Sequence, residues 1–257
     1  MSHIAIIGLG RVGAPLSAAL LGSGYSVEIL TRQNISAGDH HDLSAFDLAF
    51  LTVPDPELPS LAGGVKRPPA LGLVHTSGQV RNASLGMQVS MFHPIMSIRD
   101  GESADIFTGC PIGISGTAES VTNLSAVAVK IGAQPFEIDE AQKENYHLAA
   151  MFASVFPYIL LLTAGELAEK CGIPADQVAD MLGPTFRQAV RQFAETSASG
   201  GLTGPVSRGD FNTVKQHMQT LNSRPELRKL YQQLTKLSIG YADQPPEISR
   251  KLTEALL

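Results

Sequence analysis

The chain has 257 residues, of which 44% are hydrophobic and 17% charged, a composition typical of a soluble globular protein with one large domain or two modest ones. A net charge of −5 argues against a surface that neutralises a phosphate backbone, so we expect no nucleic acid as a main partner. Two cysteines, Cys110 and Cys171, match no metal-ligand spacing, and we expect both to be reduced, buried or half-buried thiols of a cytoplasmic protein.

The N-terminal half alternates between apolar runs and helical patterns. Residues 2–7 form an apolar run directly before Gly8, which predicts a strand buried on both faces, and they lack the basic segment and cleavage site of a signal peptide. A helix is expected from about Val12 to Gly22. Further strands are predicted at Ser26–Thr31, Asp47–Val53, Leu71–His75, Met87–Phe92, Ile112–Ser115 and Gln134–Ile138, with a helix over 118–131. This alternation predicts an α/β fold with a doubly wound, mostly parallel Rossmann sheet.

From Glu140 onward the pattern is helical. One long helix is expected over 140–171 with a bend at Pro157, because proline removes a helical hydrogen bond. Later helices are expected over 174–196, 210–221 and 225–238. We therefore expect two domains, a Rossmann dinucleotide-binding domain over 1–139 and an all-α substrate and dimerisation domain over 140–257.

One apolar stretch within the long helix, Leu148–Gly165, is long enough to cross a membrane. No basic cluster marks a cytoplasmic flank, and a span in mid-chain would separate the two halves across a bilayer. We therefore interpret the stretch as a helix buried in a core or a subunit interface, and we expect no membrane partner.

The strongest motif is a glycine-rich turn after the first strand. It comprises Gly8, Leu9, Gly10, Arg11, Val12 and Gly13. The GxGxxG pattern is weak alone, but here it follows a strand and opens a helix, which is the context that a dinucleotide site requires. The first glycine permits a tight turn, the second lets a pyrophosphate approach the backbone, and the third allows close packing of helix on strand. The helix N-terminus offers N–H groups and partial positive charge to the diphosphate.

The end of the second strand distinguishes the two nicotinamide dinucleotides. An acidic residue there suits the ribose of NAD, whereas an arginine suits the 2′-phosphate of NADP. Glu28 lies twenty residues after Gly8, but in the middle of the strand, and the strand ends at Thr31 and Arg32. A neutral residue followed by a guanidinium favours NADP(H), with NAD the less favoured cofactor.

These motifs carry a resemblance to known proteins. The order of the motifs resembles that of a superfamily, which comprises pyrroline-5-carboxylate reductases, β-hydroxyacid dehydrogenases and proteins like the 6-phosphogluconate dehydrogenase C-terminal domain. The motifs are, in order, GLGRVG, a strand ending in Thr-Arg, DLAFLTVPD and HTSG. Three later motifs are similar to those of a bacterial group of Rossmann-like proteins whose C-terminal helical domain has unknown function. They are FHP at 92–94, KENYHLAA at 143–150 and GLTGPVSRGD at 201–210. The resemblance implies an NADP-binding oxidoreductase fold that dimerises through its helical half, and it implies no particular substrate.

Three later strand ends are further candidates. The resemblance implies that the cofactor runs past Val53 and Pro54. Thr76 and Ser77 close the next strand and offer small side chains near the nicotinamide or the substrate, although both loops can also be plain strand-ending turns. His93 follows another strand, where it either binds substrate as a hydrogen-bonding or acidic group or has a structural role.

The sharpest catalytic hypothesis is a pair on the first long helix. Lys143 and His147 lie four residues apart and share one helix face, with Tyr146 beside them. The resemblance to β-hydroxyacid dehydrogenases implies that Lys143 exchanges a proton with the substrate, but His147 stands where those enzymes have asparagine. A solvated lysine and a structural histidine are the alternative.

Arg208, in the Arg-Gly-Asp triplet of the helical half, either binds an anionic substrate or pairs with Asp210, and Asp210 is expected to cap a helix. His40 and His41 lie in a polar loop, and no cluster has the spacing of a metal site. We expect an NADPH-dependent reductase of a small carbonyl or imine compound, bound in the cleft between the two domains. A non-catalytic NADP-binding or sensing protein is the main alternative, and a deazaflavin-linked reductase is a third.

Overall fold

The computed structural model describes residues 2–31, 42–67, 72–86, 88–196 and 201–257. Arg32, His40 and His41 therefore lie outside the described residues. The chain divides into two compact units, 1–160 and 161–257. The first unit contains the sheet and also the helix that begins at Lys143, and the domain boundary near residue 139 stays a prediction.

The first unit is built on one twisted sheet. In the described residues its strands are β1 (His3–Ile7), β2 (Ser26–Leu30), β3 (Leu48–Leu51), β4 (Gly72–His75), β5 (Val89–Pro94), β6 (Pro111–Ser115) and β7 (Gln134–Glu137). Their order is β2-β1-β3-β4-β5-β6-β7. Neighbouring strands run parallel except β5 and β6, which pair in antiparallel fashion. The predicted doubly wound, mostly parallel sheet is confirmed. The strand order reverses between the neighbouring strands β1 and β3.

Helices follow the strands and then continue alone. In the described residues they are α1 (Gly13–Gly22), α2 (Leu58–Gly64), α3 (Ala118–Lys130), α4 (Lys143–Ala153), α5 (Val155–Lys170), α6 (Ala175–Glu195), α7 (Phe211–Thr220), α8 (Pro225–Tyr241) and α9 (Pro246–Glu254). The sequence did not predict α2 or α9, which are short. Both begin with proline near the first helical position, where its missing N–H costs nothing.

The central strands of the sheet are buried on both faces, as their apolar runs predict, whereas the edge strands β2 and β7 are largely exposed. In β1, Ile4 and Ile6 belong to one apolar cluster, and Ala5 and Ile7 belong to the cluster on the opposite face. All four side chains are at most 1% exposed. Because alternate residues of a strand face opposite sides, a continuous apolar run is what such a strand requires. This burial fixes where β1 ends and therefore where the glycine-rich turn begins.

The long helix expected over 140–171 is divided at Ser154, between α4 and α5. The ring of Pro157 prevents a regular helical bond three to four residues upstream, so the break precedes the proline. By length and composition, Glu140–Lys170 is apolar enough to cross a membrane, and only 6% of its most apolar window is buried. The apolar side chains expected inside a core or a subunit interface are thus exposed in the single chain, so a core within this chain does not bury them.

The second unit has its own small core. The segment before α7, α7, α9 and the residues after α9 contribute to it, and its buried members are Val206, Val214, Met218, Leu252 and Leu256. The predicted cap is confirmed, because the Asp210 carboxylate accepts the backbone N–H of Thr213 at 3.1 Å.

The two cysteines differ from each other. Both are free thiols, and Cys110 is buried as expected. Cys171 is exposed, so the expectation of burial was wrong for this residue. It lies in the turn after α5, where its side chain is exposed.

Candidate functional site

The glycine-rich turn joins β1 to α1 by a very close approach of backbone segments. Gly8 has φ +104°, a conformation that side chains rarely tolerate. A Cβ on Gly13 would lie 2.0 Å from the carbonyl oxygen of Gly8 and 2.5 Å from the hydroxyl of Thr52. That hydroxyl donates to the Gly8 carbonyl at 2.6 Å and fastens the turn to the end of β3. A Cβ on Gly10 would meet only the Thr52 carbonyl oxygen, at 3.8 Å, so the space over Gly10 is open.

A pocket of about 410 Å³ opens beside this turn, in the first unit. It lies at the carboxyl ends of the parallel strands, where ligands bind in open α/β sheets. Its lining residues are Gly10, Arg11, Val12, Thr52, Val53, Pro54, Asp55, Thr76, Ser77, His93, Pro94, Met96 and Ile98. Eight of the residues predicted from the sequence are thus brought together: Gly10, Arg11, Val12, Val53, Pro54, Thr76, Ser77 and His93.

The residues at the end of β2 lie as the sequence predicts. Glu28 is in the middle of β2, opposite Ala5 of β1, and Thr31 is the first residue after the strand. The acidic side chain is therefore not at the strand end, where a ribose hydroxyl is bound in NAD-selective folds. Arg32, the other half of the cofactor argument, lies outside the described residues.

Behind the pocket, a chain of buried polar side chains begins at His75, the last residue of β4. The Ser77 backbone N–H donates to His75 Nδ1 at 3.2 Å, so the ring proton lies on Nε2, which donates to Asn82 Oδ1 at 2.8 Å. Asn82 Nδ2 donates to the Ser115 hydroxyl at 3.0 Å, and Ser115 donates to Glu140 Oε2 at 3.0 Å. Each donor thus has an acceptor, which buried polar groups require. Burial lowers the pKa of His75 to about 4, with the Lys143 charge adding to the effect.

Lys143 is the one buried residue of α4 and is 0% exposed. Its ammonium donates to the backbone carbonyl of Val80, and its Nζ lies 3.5 Å from His75 Nε2. Burial lowers its pKa to about 8, against the opposing effect of the Glu140 charge. Lys143 is not among the described residues that line the pocket, so its side chain supports the loop over 76–82 from behind.

His93 reaches the pocket and is held from behind by α4. Its Nδ1 lies 2.6 Å from the hydroxyl of Tyr146. His147 follows on the same helix, with its ring centroid 6.3 Å from that of His93. Because residues three and four apart share a helix face, Lys143, Tyr146 and His147 all turn toward the sheet. The sequence indicated only that Tyr146 lies beside Lys143 and His147. It did not predict the contact of Tyr146 with His93.

The hydroxyl of Ser77 is fully engaged by protein. It donates to Asp55 Oδ2 at 2.8 Å and accepts the backbone N–H groups of Gln79 at 3.1 Å and Val80 at 3.0 Å. These bonds close the turn after β4. The sequence did not single out Asp55 as a site residue, although it completes the Val-Pro-Asp loop that ends β3. The sequence signal that could have identified Asp55 as a site residue is its position directly after the end of a strand.

The residues of the second unit lie elsewhere in the chain. Arg208 is exposed, and its charge contributes to lowering the pKa of Asp210, after the hydrogen bonds from Thr213. A pocket of about 550 Å³ lies between α7, α8 and α9, and Lys215, Arg228 and Lys251 are among its lining residues. No predicted site residue is among the described residues that line this second pocket.

A family model described as a domain of unknown function, DUF2520, matches residues 110–238. The chain belongs to this family. The resemblance stated from the motifs is thereby confirmed. No curated protein sequence is significantly similar to the chain.

Solved structures share the fold over nearly the whole chain. A Bacteroides fragilis protein assigned as an NADP oxidoreductase superposes with a TM-score of 0.72 at 23% identity, over 98% of each chain. A 1-pyrroline-5-carboxylate reductase from Streptococcus pyogenes gives 0.63 at 13% identity, over 99% of this chain and 98% of the other. A Plasmodium falciparum pyrroline carboxylate reductase with NADP bound gives 0.61 at 9% identity, over 100% and 98%. At these identities the likeness establishes the Rossmann fold with a helical C-terminal part.

Proposed function

We propose that the chain is a cytoplasmic NADP(H)-dependent oxidoreductase that reduces a small carbonyl or imine compound. The observation that carries the proposal is the pocket beside the glycine-rich turn, where an open backbone at Gly10 adjoins a pocket whose lining includes the polar residues Thr76 and His93. Similar folds are named for NADP oxidoreduction and for the reduction of pyrroline carboxylate. When bound, the cofactor supplies the hydride.

The residues of this chain would hold the cofactor in a definite orientation. The turn from Gly8 to Gly13 would bind the pyrophosphate, and α1 has no acidic side chain in its first turn to repel it. Thr31 and Arg32 would bind the 2′-phosphate, while Val53, Pro54 and Thr76 would contact the nicotinamide end. The reacting end of the cofactor would then lie near His93, which lines the same pocket.

For the substrate, the geometry favours His93 over the pair predicted first. His93 lines the pocket, whereas Lys143 is buried behind it and is bonded to Val80. A catalytic role for Lys143 and His147, and substrate contacts by Ser77 and Arg208, stay predictions. The buried position of Lys143 is the observation that favours the second candidate, an NADP(H)-binding or sensing protein without catalysis. Oxidation of NADPH in the presence of oxo acids, aldehydes or cyclic imines separates the two.

The cofactor assignment is tested by titrating NADPH and NADH against the wild-type chain and Arg32→Ala. We expect tighter binding of NADPH than of NADH, and a loss of roughly 30-fold in NADPH affinity in the variant, since a charged hydrogen-bonded contact contributes about 2 kcal/mol. NADH affinity should stay unchanged. Glu28→Gln, a charge change in the middle of β2, is the matched control and should alter neither affinity. Equal affinity for both cofactors, unchanged in Arg32→Ala, would rule out the NADP assignment.

We also propose that the chain forms a homodimer through its helical half. Helix α6 has no buried residue in the described chain, yet it carries large apolar side chains at helical spacing. Val190 is 55% exposed and Phe193 is 77% exposed. An apolar stripe of this kind on a soluble protein normally contacts another surface, and a second copy brings an identical stripe.

The dimer is tested with Phe193→Glu, which places a charge within that stripe. We expect the wild-type chain to sediment as a dimer at micromolar concentration, and the variant to sediment as a monomer with unchanged helical circular dichroism, because burying an unpaired carboxylate is costly. Gln177→Glu adds the same charge to the polar face of α6 and should leave the dimer intact. A wild-type chain that stays monomeric at these concentrations contradicts the proposal.

A further inference from the structure

The two ring nitrogens of His93 have different surroundings. Nδ1 lies 2.6 Å from the Tyr146 hydroxyl. Nε2 has no hydrogen-bond partner within the described residues, although the ring lines the pocket. One nitrogen is therefore held by the protein, and the other remains available to a ligand.

The position of Tyr146 is built into the sheet. Gly113 lies directly opposite His93 in the antiparallel pair of β5 and β6. A Cβ on Gly113 would lie 2.4 Å from the Tyr146 hydroxyl oxygen, so the missing side chain leaves the space that the hydroxyl occupies. The tyrosine reaches His93 from α4 because this position of β6 is a glycine.

The direction of the hydrogen bond follows from the same surroundings. Burial raises the pKa of Tyr146, so its hydroxyl keeps its proton, and His93 Nδ1 is its one hydrogen-bond partner within the described residues. If the hydroxyl accepted from Nδ1, its own proton would have no partner, so the hydroxyl donates and Nδ1 accepts. An accepting Nδ1 carries no proton, so the proton of a neutral imidazole lies on Nε2. Burial and the charges of His147 and Lys143 lower the pKa of His93 to about 4, which keeps the ring neutral at pH 7.

We propose that Tyr146 is a positioning residue that holds His93 as the neutral Nε2–H tautomer, and that this N–H group donates a hydrogen bond to the carbonyl oxygen of the substrate. The inference rests on the proposed function and narrows its substrate class. A neutral imidazole N–H that points at a carbonyl oxygen stabilises the negative charge that develops there during reduction.

The same geometry disfavours a cyclic imine. An imine that accepts hydride readily is protonated, and it then presents a positive N–H rather than an acceptor. The N–H of the imine and the Nε2–H of His93 are both donors and cannot form a hydrogen bond with each other. The charge of the buried Lys143 also opposes a further positive charge near His93. Asp55 is the acidic side chain among the described lining residues, and its Oδ2 is occupied by the Ser77 hydroxyl.

Gly78 packs closely against the rings of His93 and His147. A Cβ on Gly78 would lie 2.8 Å from His93 Nε2 and 2.8 Å from His147 Cδ2. A side chain at this position would clash with both rings, so the glycine allows the loop to pack closely against His93. The glycine of the predicted His-Thr-Ser-Gly strand end thus acquires a physical role.

The first test is long-range ¹H–¹⁵N NMR of the cofactor-free, ¹⁵N-labelled chain at pH 7, with His93→Asn to assign the signals. We expect an unprotonated Nδ1 and a protonated Nε2 in the wild-type chain, and a mixture of both tautomers in Tyr146→Phe. Tyr158→Phe removes the hydroxyl of a tyrosine that is 63% exposed and serves as the control. A proton on Nδ1 in the wild-type chain, or a tautomer that Tyr146→Phe leaves unchanged, would overturn the positioning role.

The second test compares the reduction of 4-nitrobenzaldehyde and of 1-pyrroline with NADPH. We expect at least about 10-fold higher kcat/KM for the aldehyde, and a loss of about 10-fold in kcat but not in KM with Tyr146→Phe. Reduction of 1-pyrroline but not of the aldehyde would overturn the substrate assignment. Failure to bind NADPH at all would contradict the proposed function instead, and the tautomer measured without cofactor would still decide the role of Tyr146.

Discussion

We expect Gly10→Ala to fold like the wild-type chain and to bind NADPH about 100-fold more weakly. The added methyl group meets only the Thr52 carbonyl oxygen, at 3.8 Å, which is an ordinary contact. In the bound state the same methyl group lies where the pyrophosphate must approach the backbone, so its whole effect falls on binding. Fluorescence titration with NADPH and thermal unfolding measure the two quantities separately.

Gly13→Ala should behave in the opposite way. Its methyl group would lie 2.0 Å from the Gly8 carbonyl oxygen, and only movement of the backbone relieves this contact. We expect the free energy of unfolding to fall by about 3 kcal/mol, with loss of NADPH binding as a consequence. Gly22→Ala, where no atom lies within 4 Å of the new methyl group, is the matched control and should be neutral or slightly stabilising. Wild-type NADPH affinity in Gly10→Ala would contradict the placement of the pyrophosphate.

The glycine-rich turn was predictable from the sequence because its requirements are local. A buried run ends at Ile7, three glycines follow at fixed spacing, and an apolar helix begins, all within one short segment. The ends of β3, β4 and β5 were predictable for a related reason, since parallel strands bring their carboxyl ends to one edge. These two rules account for eight of the pocket-lining residues, among them Pro54 and His93.

The polar groups behind the pocket were not predictable in this way. Asn82, Ser115 and Glu140 come from three separate segments, and no local pattern indicates that their side chains meet. The contact of Tyr146 with His93 depends on the antiparallel pairing of β5 with β6, which the strand–helix alternation does not reveal. Lys143 illustrates the same limit, because helical spacing gives its face but not whether that face lines a pocket or packs behind one.

The second large effect is expected at Asn82, which is 9% exposed and joins the end of β4 to β6. Its side-chain oxygen accepts from His75 at 2.8 Å, and its amide nitrogen donates to Ser115 at 3.0 Å. In Asn82→Ala the Nε2–H of His75 loses its acceptor, while the ring stays buried at 0% exposure. A buried donor without a partner costs about 1–3 kcal/mol, and the vacated volume adds to this. We therefore expect the free energy of unfolding to fall by about 3 kcal/mol.

Denaturation in urea, followed by circular dichroism, measures this loss. Asn145→Ala is the matched control, because Asn145 is exposed on α4 and makes a single side-chain bond to Gln142 at 3.3 Å, so its removal should change the free energy of unfolding by less than about 0.5 kcal/mol. Asn82→Asp keeps the acceptor for His75 but places a second carboxylate beside Glu140 and no longer donates to Ser115. It should destabilise the chain as well, and least at acidic pH, where protonation of a carboxylate relieves the repulsion. If Asn82→Ala unfolds at the same urea concentration as Asn145→Ala, the buried chain of hydrogen bonds from His75 to Glu140 does not stabilise the fold as expected.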